Sequence, residues 1–191
     1  MPRPSRWDDV VAAAAKVFSE KGFGGSSLED VAREVGMLKG SLYNYISSKE
    51  DLLFAVVTPP AQRLLDQARE LSETDLPASE KLRRLTRTHV EIIHEYFPYV
   101  NVYVHEIVGR QVSDEWSEMD REYLRLLEGI LAEGEKQGLF APGLPRRVAA
   151  LSLVGALNWM TRWYRPGDPA AAQAIADQIT DVFLSGLLSR H

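Results

Sequence analysis

Apolar positions recur every three to four residues almost from end to end, and no stretch alternates apolar with polar residues between hairpin turns. The pattern predicts an all-α chain. Trp7, Val10, Val11, Ala14 and Phe18 share one helical stripe, which stops where a basic turn meets glycine at Lys21-Gly22. A second, unusually short helix opens on the capping-box arrangement Ser27-Leu28-Glu29-Asp30, turns Leu28, Val31, Ala32 and Val35 inward and closes at Gly36. A third, over 39–46, buries Leu42 and Ile46 and leaves Lys39, Ser41, Tyr43, Asn44 and Tyr45 to be shared between packing and solvent. Ser48-Lys49-Glu50-Asp51 then caps a longer fourth helix, in which Pro59-Pro60 removes two N–H donors and predicts a bend or break.

Five more helices follow. Pro77 opens the fifth, which carries Leu82, Leu85, His89 and Ile93, and Pro98 stands in the first turn of the sixth. The seventh covers 117–138, and a Pro/Gly-rich loop at 139–145 separates it from the last two helices, over 145–164 and 169–188. Between those two, Asp168 is placed as cap and Pro169 at the first helical position.

Composition narrows the function classes. The 191 residues include 45% hydrophobic and 26% charged side chains, the balance of a packed globular protein of one generous domain or two small ones. With 22 Lys and Arg against 27 Asp and Glu the formal charge is −5, so any affinity for nucleic acid or anionic lipid has to be local. There is no cysteine, which removes disulfides, thiolate metal sites and thiol nucleophiles together. No apolar run reaches the length of a membrane span and no leader precedes the first helix, so a cytoplasmic protein without membrane partners is expected. Gly-x-Ser-x-Gly, P-loop and His-Glu-x-x-His arrangements are absent, which argues against an enzyme. His89, His94 and His105 lack the spacing of metal ligands on one helix face, and no metal or cofactor is expected.

Two short helices joined by a glycine-containing turn fit a helix-turn-helix, whose first helix meets the phosphate backbone while a slim second helix enters the major groove. Gly40 keeps the groove-facing end narrow. The same spacing also suits an ordinary three-helix core with its aromatics packed inside. Ala14, Phe18, Gly22, Ser27, Val31 and Ala32, the run Gly36-Met37-Leu38-Lys39-Gly40-Ser41-Leu42-Tyr43-Asn44-Tyr45-Ile46, and Lys49-Glu50-Asp51-Leu52-Leu53 together resemble the N-terminal domain of TetR-family transcriptional regulators. The resemblance covers about the first 60 residues without a gap. It implies a nine-helix fold, with a helix-turn-helix domain at 1–57 and a ligand-binding and dimerisation domain at 58–191. It further implies that Ser27 caps the second helix and touches phosphate, that Lys39, Gly40, Ser41 and Asn44 face the groove, and that Tyr43, Tyr45 and Lys49 contact the DNA backbone. Two residues depart from the family pattern: Leu38 stands where a capping Ser is usual, which weakens the start of the third helix, and Ile46 stands for Phe. Residues 1–57 hold seven cations (Arg3, Arg6, Lys16, Lys21, Arg33, Lys39, Lys49) and eight acids (Asp8, Asp9, Glu20, Glu29, Asp30, Glu34, Glu50, Asp51), so the acids are expected to turn away from the phosphates.

The family resemblance assigns the rest of the chain to effector binding and to a homodimer formed through the last two helices. Ile175, Ile179, Val182, Phe183 and Leu187 form an apolar stripe on the final helix, which suits either a partner or the chain's own core. Aromatic residues gather at Tyr96, Phe97, Tyr99, Tyr103, Trp116, Tyr123, Trp159, Trp163 and Tyr164, as a small-molecule pocket or as core. The segments Tyr96-Phe97-Pro98 and 158–167 resemble those TetR-type regulators of fatty-acid and sterol catabolism that respond to acyl-CoA. An acyl-CoA effector is then expected to place its chain among Tyr96, Phe97, Tyr103, Tyr123 and Trp159, with Trp159 or Trp163 as a stacking face for adenine or a lid on the chain and Arg162 and Arg165 on the phosphates. The alternative pairs these arginines with Glu133 or Asp168. The leading expectation is a dimeric repressor on a palindromic DNA operator, released by an acyl-CoA. The rivals are a regulator of drug or metabolite efflux and a helical interaction module that binds no DNA.

Overall fold

The computed structural model describes residues 6–107 and 114–187, and of residues 114–117 it describes the backbone only, so the Trp116 side chain lies outside it. Ten helical segments and no strand occur among the described residues: α1 Arg6–Lys21, α2 Leu28–Val35, α3 Lys39–Leu42, α4 Lys49–Ser72, α5 Ala78–Glu95, α6 Phe97–Glu106, α7 Asp114–Lys136, α8 Arg146–Asn158, α9 Met160–Trp163 and α10 Pro169–Leu187. The nine expected helices are all present, with the eighth interrupted at Trp159. There the chain keeps helical dihedrals, but Arg162 N–H bonds back only three residues, to Trp159 O, at 3.0 Å.

Local chemistry accounts for most boundaries. Ser27 and Asp30 form the predicted capping box: Asp30 N–H donates to Ser27 Oγ at 3.2 Å and Ser27 N–H to Asp30 Oδ2 at 2.9 Å. Gly36 ends α2 at φ +69°. Ser48 and Asp51 repeat the arrangement at the start of α4, and Asp168 Oδ1 accepts from Ala170 N–H ahead of α10. Two expectations need correction. The third helix ends at Leu42 rather than reaching residue 46, and Tyr45 and Ile46 continue it as single turns bonded to Leu42 O. Leu38 provides no side-chain cap and Gly40 adds backbone entropy, so little favours further α-helix there. The fourth helix is unbroken through Pro59 and Pro60. The missing donors orphan only the Ala55 and Val56 carbonyls, while Thr58 Oγ1 donates to Phe54 O at 2.7 Å.

The chain divides into two compact units, and the division does not follow a single cut in sequence. The first unit joins α1–α3 and α4 as far as Pro60 with α6; its core is built by Val10, Ala14, Phe18, Val31, Leu42, Leu52 and Val56. Here α6 packs along α1, and Asn101 Nδ2 donates to Ser19 Oγ at 2.9 Å. The second unit takes the remainder of α4, then α5 and α7–α10. It is organised around α5, which packs against α10, α7 and α8.

Candidate nucleic-acid interface and effector site

The exposed end of the first unit rests on a loop, Gly22–Ser26, held from two sides. From α6, the buried Glu106 accepts from Phe23 N–H at 3.0 Å. From the start of α4, Lys49 Nζ donates to Phe23 O and, at 2.6 Å, to Ser26 O, and lies 4.3 Å from the centre of the Phe23 ring. Lys49, expected at the DNA backbone, is thus also a brace for the loop that carries Ser27. Gly25 has to be glycine, because a Cβ there would sit 2.6 Å from Lys21 O.

Beyond the loop, the residues of α3 and its following turn divide by position. Leu42 and Ile46 are buried as expected. Lys39, Gly40, Tyr43, Asn44 and Tyr45 are exposed and Ser41 half-exposed, so each candidate reading residue is accessible. A Cβ on Gly40 would meet nothing within 4 Å, so no packing within the protein demands a glycine there. Tyr45 stacks on Trp7, with ring centres 6.1 Å apart and planes at 17°. Ser27 spends its hydroxyl on the cap, donating to Asp30 Oδ2 at 2.7 Å. Asp30 also accepts from Lys21 at 2.6 Å, and this ion pair together with the Ser27 bonds holds its carboxyl well below the usual carboxylate range. Not every acid turns aside. Glu29 accepts from Lys39 Nζ at 2.8 Å, placing a carboxylate on the lysine expected to face the groove.

The expected effector residues are divided between the units. Tyr96, Phe97 and Tyr103 belong to the first, whereas Tyr123, Trp159, Arg162, Trp163 and Arg165 belong to the second. At the α8–α9 junction Trp159 and Trp163 are 63% and 51% exposed, and the Arg162 guanidinium lies 5.8 Å from the Trp159 ring centre. Glu133 does not pair with these arginines: it accepts from the buried Lys81 at 2.6 Å. Asp168 caps α10, and Arg165 Nη1 donates to Tyr164 O at 2.7 Å. Tyr164 is itself buried, 2.6 Å from His94 Nδ1 through its hydroxyl.

On α10 the inward positions are small: Ala172, Ala176 and Thr180 are buried with Leu184 and Leu187. The bulky Ile175, Ile179 and Phe183 are only half-buried and Val182 is 78% exposed. Val148 and Leu151 stand out in the same way on α8. A groove of about 310 Å³ lies between the two helices, lined by Leu153, Ala156, Gln178, Ile179, Val182 and Phe183. The apolar stripe expected on α10, open to a partner or to the chain's own core, is divided: Leu187 is buried, whereas Ile175, Ile179, Val182 and Phe183 are half-buried or exposed. Among the described residues no three His, Asp or Glu side chains converge as a metal site would require, and no helix is long and apolar enough to cross a membrane.

A capped short helix, a glycine turn and a slim helix with its polar side outward place the protein in the helix-turn-helix class of DNA-binding regulators. Residues 10–56 match the family of bacterial regulatory proteins of the tetR type, and residues 75–187 match the tetracyclin repressor-like C-terminal domain. The chain belongs to the TetR family of transcriptional regulators, a family of regulators and not of enzymes. It is 28% identical to the HTH-type transcriptional repressor KstR2 of Rhodococcus jostii over 99% of this chain and 94% of that protein. The ketosteroid transcriptional regulator KstR2 of Mycobacterium tuberculosis has a similar fold, with a TM-score of 0.88 at 24% identity over 98% of this chain and 97% of that one. So does AibR in complex with isovaleryl coenzyme A and operator DNA, with a TM-score of 0.76 at 24% identity over 96% and 98% of the two chains.

Proposed function

We propose that this regulator is a cytoplasmic homodimeric repressor that binds a palindromic operator and leaves it when an acyl-CoA thioester binds the second unit. The outward apolar face of α8 and α10 carries the reading. Helices that bury alanines while Val148, Leu151 and Val182 stand exposed and Ile175, Ile179 and Phe183 only half-buried gain stability when a second surface covers the large residues. A two-fold pair through these helices presents two reading helices to half-sites one turn of DNA apart, about 34 Å. Lys39, Gly40, Ser41 and Asn44 then face the bases and Tyr43, Tyr45 and Lys49 meet the backbone, while Ser27, whose hydroxyl and N–H both go to Asp30, fixes the start of α2 beside it. In the second unit, Arg162 and Arg165 offer planar donors for the phosphates of coenzyme A, and Tyr123, Trp159 and Trp163 offer apolar faces to the acyl end. AibR, of similar fold and seen in complex with isovaleryl coenzyme A, supports this effector class.

Selection from a random DNA pool, followed by titration of acyl-CoA thioesters against the preformed complex, tests the proposal. Free CoA and the free acids are the controls. A palindrome is expected among the selected sequences, with release by thioesters alone and operator affinity weakened by roughly 5- to 150-fold. Release by a free acid as readily as by its thioester would remove the role of Arg162 and Arg165. Release by no thioester would remove the effector class and leave the DNA-binding assignment in place.

A further inference from the structure

Among its described residues the second unit buries five polar side chains, and three of them are satisfied by the protein. Lys81 pairs with Glu133, Thr161 Oγ1 donates to Asn158 O and Thr180 Oγ1 donates to Ala176 O. The remaining two are Thr86 and His89, 1% and 5% exposed: the His89 ring bonds the Asn158 side chain, but neither Thr86 Oγ1 nor His89 Nδ1 has a hydrogen-bond partner. They stand three residues apart on α5, hence on one face of the helix. Thr86 also leaves unused the local solution that Thr180 takes, donation to the carbonyl four residues back. Tyr123 of α7 meets the His89 ring edge to face at 6.5 Å, and the same helices bury Leu82, Leu85, Leu127 and Leu131. Two polar atoms held without partners on one face of a helix in an apolar interior are costly unless a guest supplies the missing bonds.

We propose that Thr86 and His89 form the seat for one hydroxyl oxygen on the otherwise apolar portion of the effector. The acyl group is therefore an oxygenated one, distinguished from plain hydrocarbon chains of the same size. A neutral imidazole offers either an N–H or a lone pair at Nδ1, and an alcohol oxygen can both donate and accept, so it completes the pair with either tautomer. A site built to bond an oxygen discriminates strongly against the analogue that lacks it, because its own buried groups are then left unpaired. The chemistry of the guest's other end rests on the acyl-CoA reading above; the seat does not.

Phenol and toluene, alike in shape and differing by a hydroxyl for a methyl, probe the seat directly in the full-length protein. Their affinities are measured by calorimetry for the wild type, Thr86→Val and His89→Phe. The ratio of phenol to toluene affinity should fall at least tenfold in each variant, and phenol alone should move the His89 ring nitrogen resonance. An unchanged ratio in both variants overturns the proposal. The nearly isosteric Thr86→Val also reports without ligand: an unchanged or higher Tm is expected, whereas a lower Tm means the hydroxyl already serves the fold, which overturns the seat. In operator release, ω-hydroxyacyl-CoA thioesters should act at lower concentration than unsubstituted chains in the wild type and lose that advantage in Thr86→Val. If no thioester releases the DNA while the phenol ratio still falls, the acyl-CoA reading fails and the seat stands. If thioesters release it with no preference and the ratio is unchanged, the seat fails and the reading stands.

Discussion

An ammonium group has three N–H donors, and Lys49 spends them first on the protein. Its bonds to the Phe23 and Ser26 carbonyls, with the Phe23 ring beneath, hold the loop from which Ser27 starts α2. Hydrogen bonds to a charged group are worth about 1.5–3 kcal/mol, so Lys49→Met should lower the stability of the first unit by that order, read as a drop in Tm of the free protein. It should weaken binding to specific and scrambled DNA alike. A residue that only met phosphate would leave Tm unmoved and reduce the salt slope by about one, so the two measurements together apportion its role. The lysine itself is legible in the motif that follows the third helix. Its partners lie 26 and 23 residues back along the chain, and no local pattern announces them.

At the scale of elements, α10 shows why a helical stripe leaves its occupant open. Periodicity places Ile175, Ile179, Val182 and Phe183 near one another, yet whether that side faces α5 or solvent is decided by the distance α5 permits. Close approach selects Ala172, Ala176 and Thr180 for the inner side, with Leu184 and Leu187 inside only in the last turns, and leaves Ile175, Ile179, Val182 and Phe183 half-buried or exposed. Val182→Lys should therefore cost little in helix content by circular dichroism and convert a dimer, seen by light scattering, to a monomer with sharply weakened operator binding. A variant that remains dimeric would move the interface off α10. The prolines of α4 make the complementary point. Their chemistry predicts disruption, and burial of Pro60 beside the core residues Val56 and Val57 supports the helix through a gap of only two bonds.

For the molecule as a whole, acid sensitivity follows from burial. His89 sits wholly inside, and desolvation, opposed only by the facing Asn158 amide, lowers its pKa from 6.5 to about 4. The unfolded chain accepts that proton near pH 6.5 and the native state does not until about pH 4. Stability is then full above pH 6.5 and declines as the pH falls towards 4, by about 3 kcal/mol for this single group. Urea unfolding at pH 7 and 4.5 measures the decline, which His89→Leu should flatten. Asp30, held low by Lys21 and Ser27, contributes in a separate window, losing its stabilisation only below the ordinary carboxylate pKa. The sequence by itself determined the helical class, the capped starts of α2, α4 and α10 and the segment that matches the N-terminal domain of the family, because caps, glycine stops and apolar spacing act within a few residues of one another. Tertiary structure alone decided that α6 joins the first unit, that Glu29 sits on Lys39, that Glu133 belongs to Lys81 and that Thr86 Oγ1 and His89 Nδ1 are left without hydrogen-bond partners. Each of these depends on which side chains meet across helices far apart in the chain, and that is set by packing distances that no local pattern encodes.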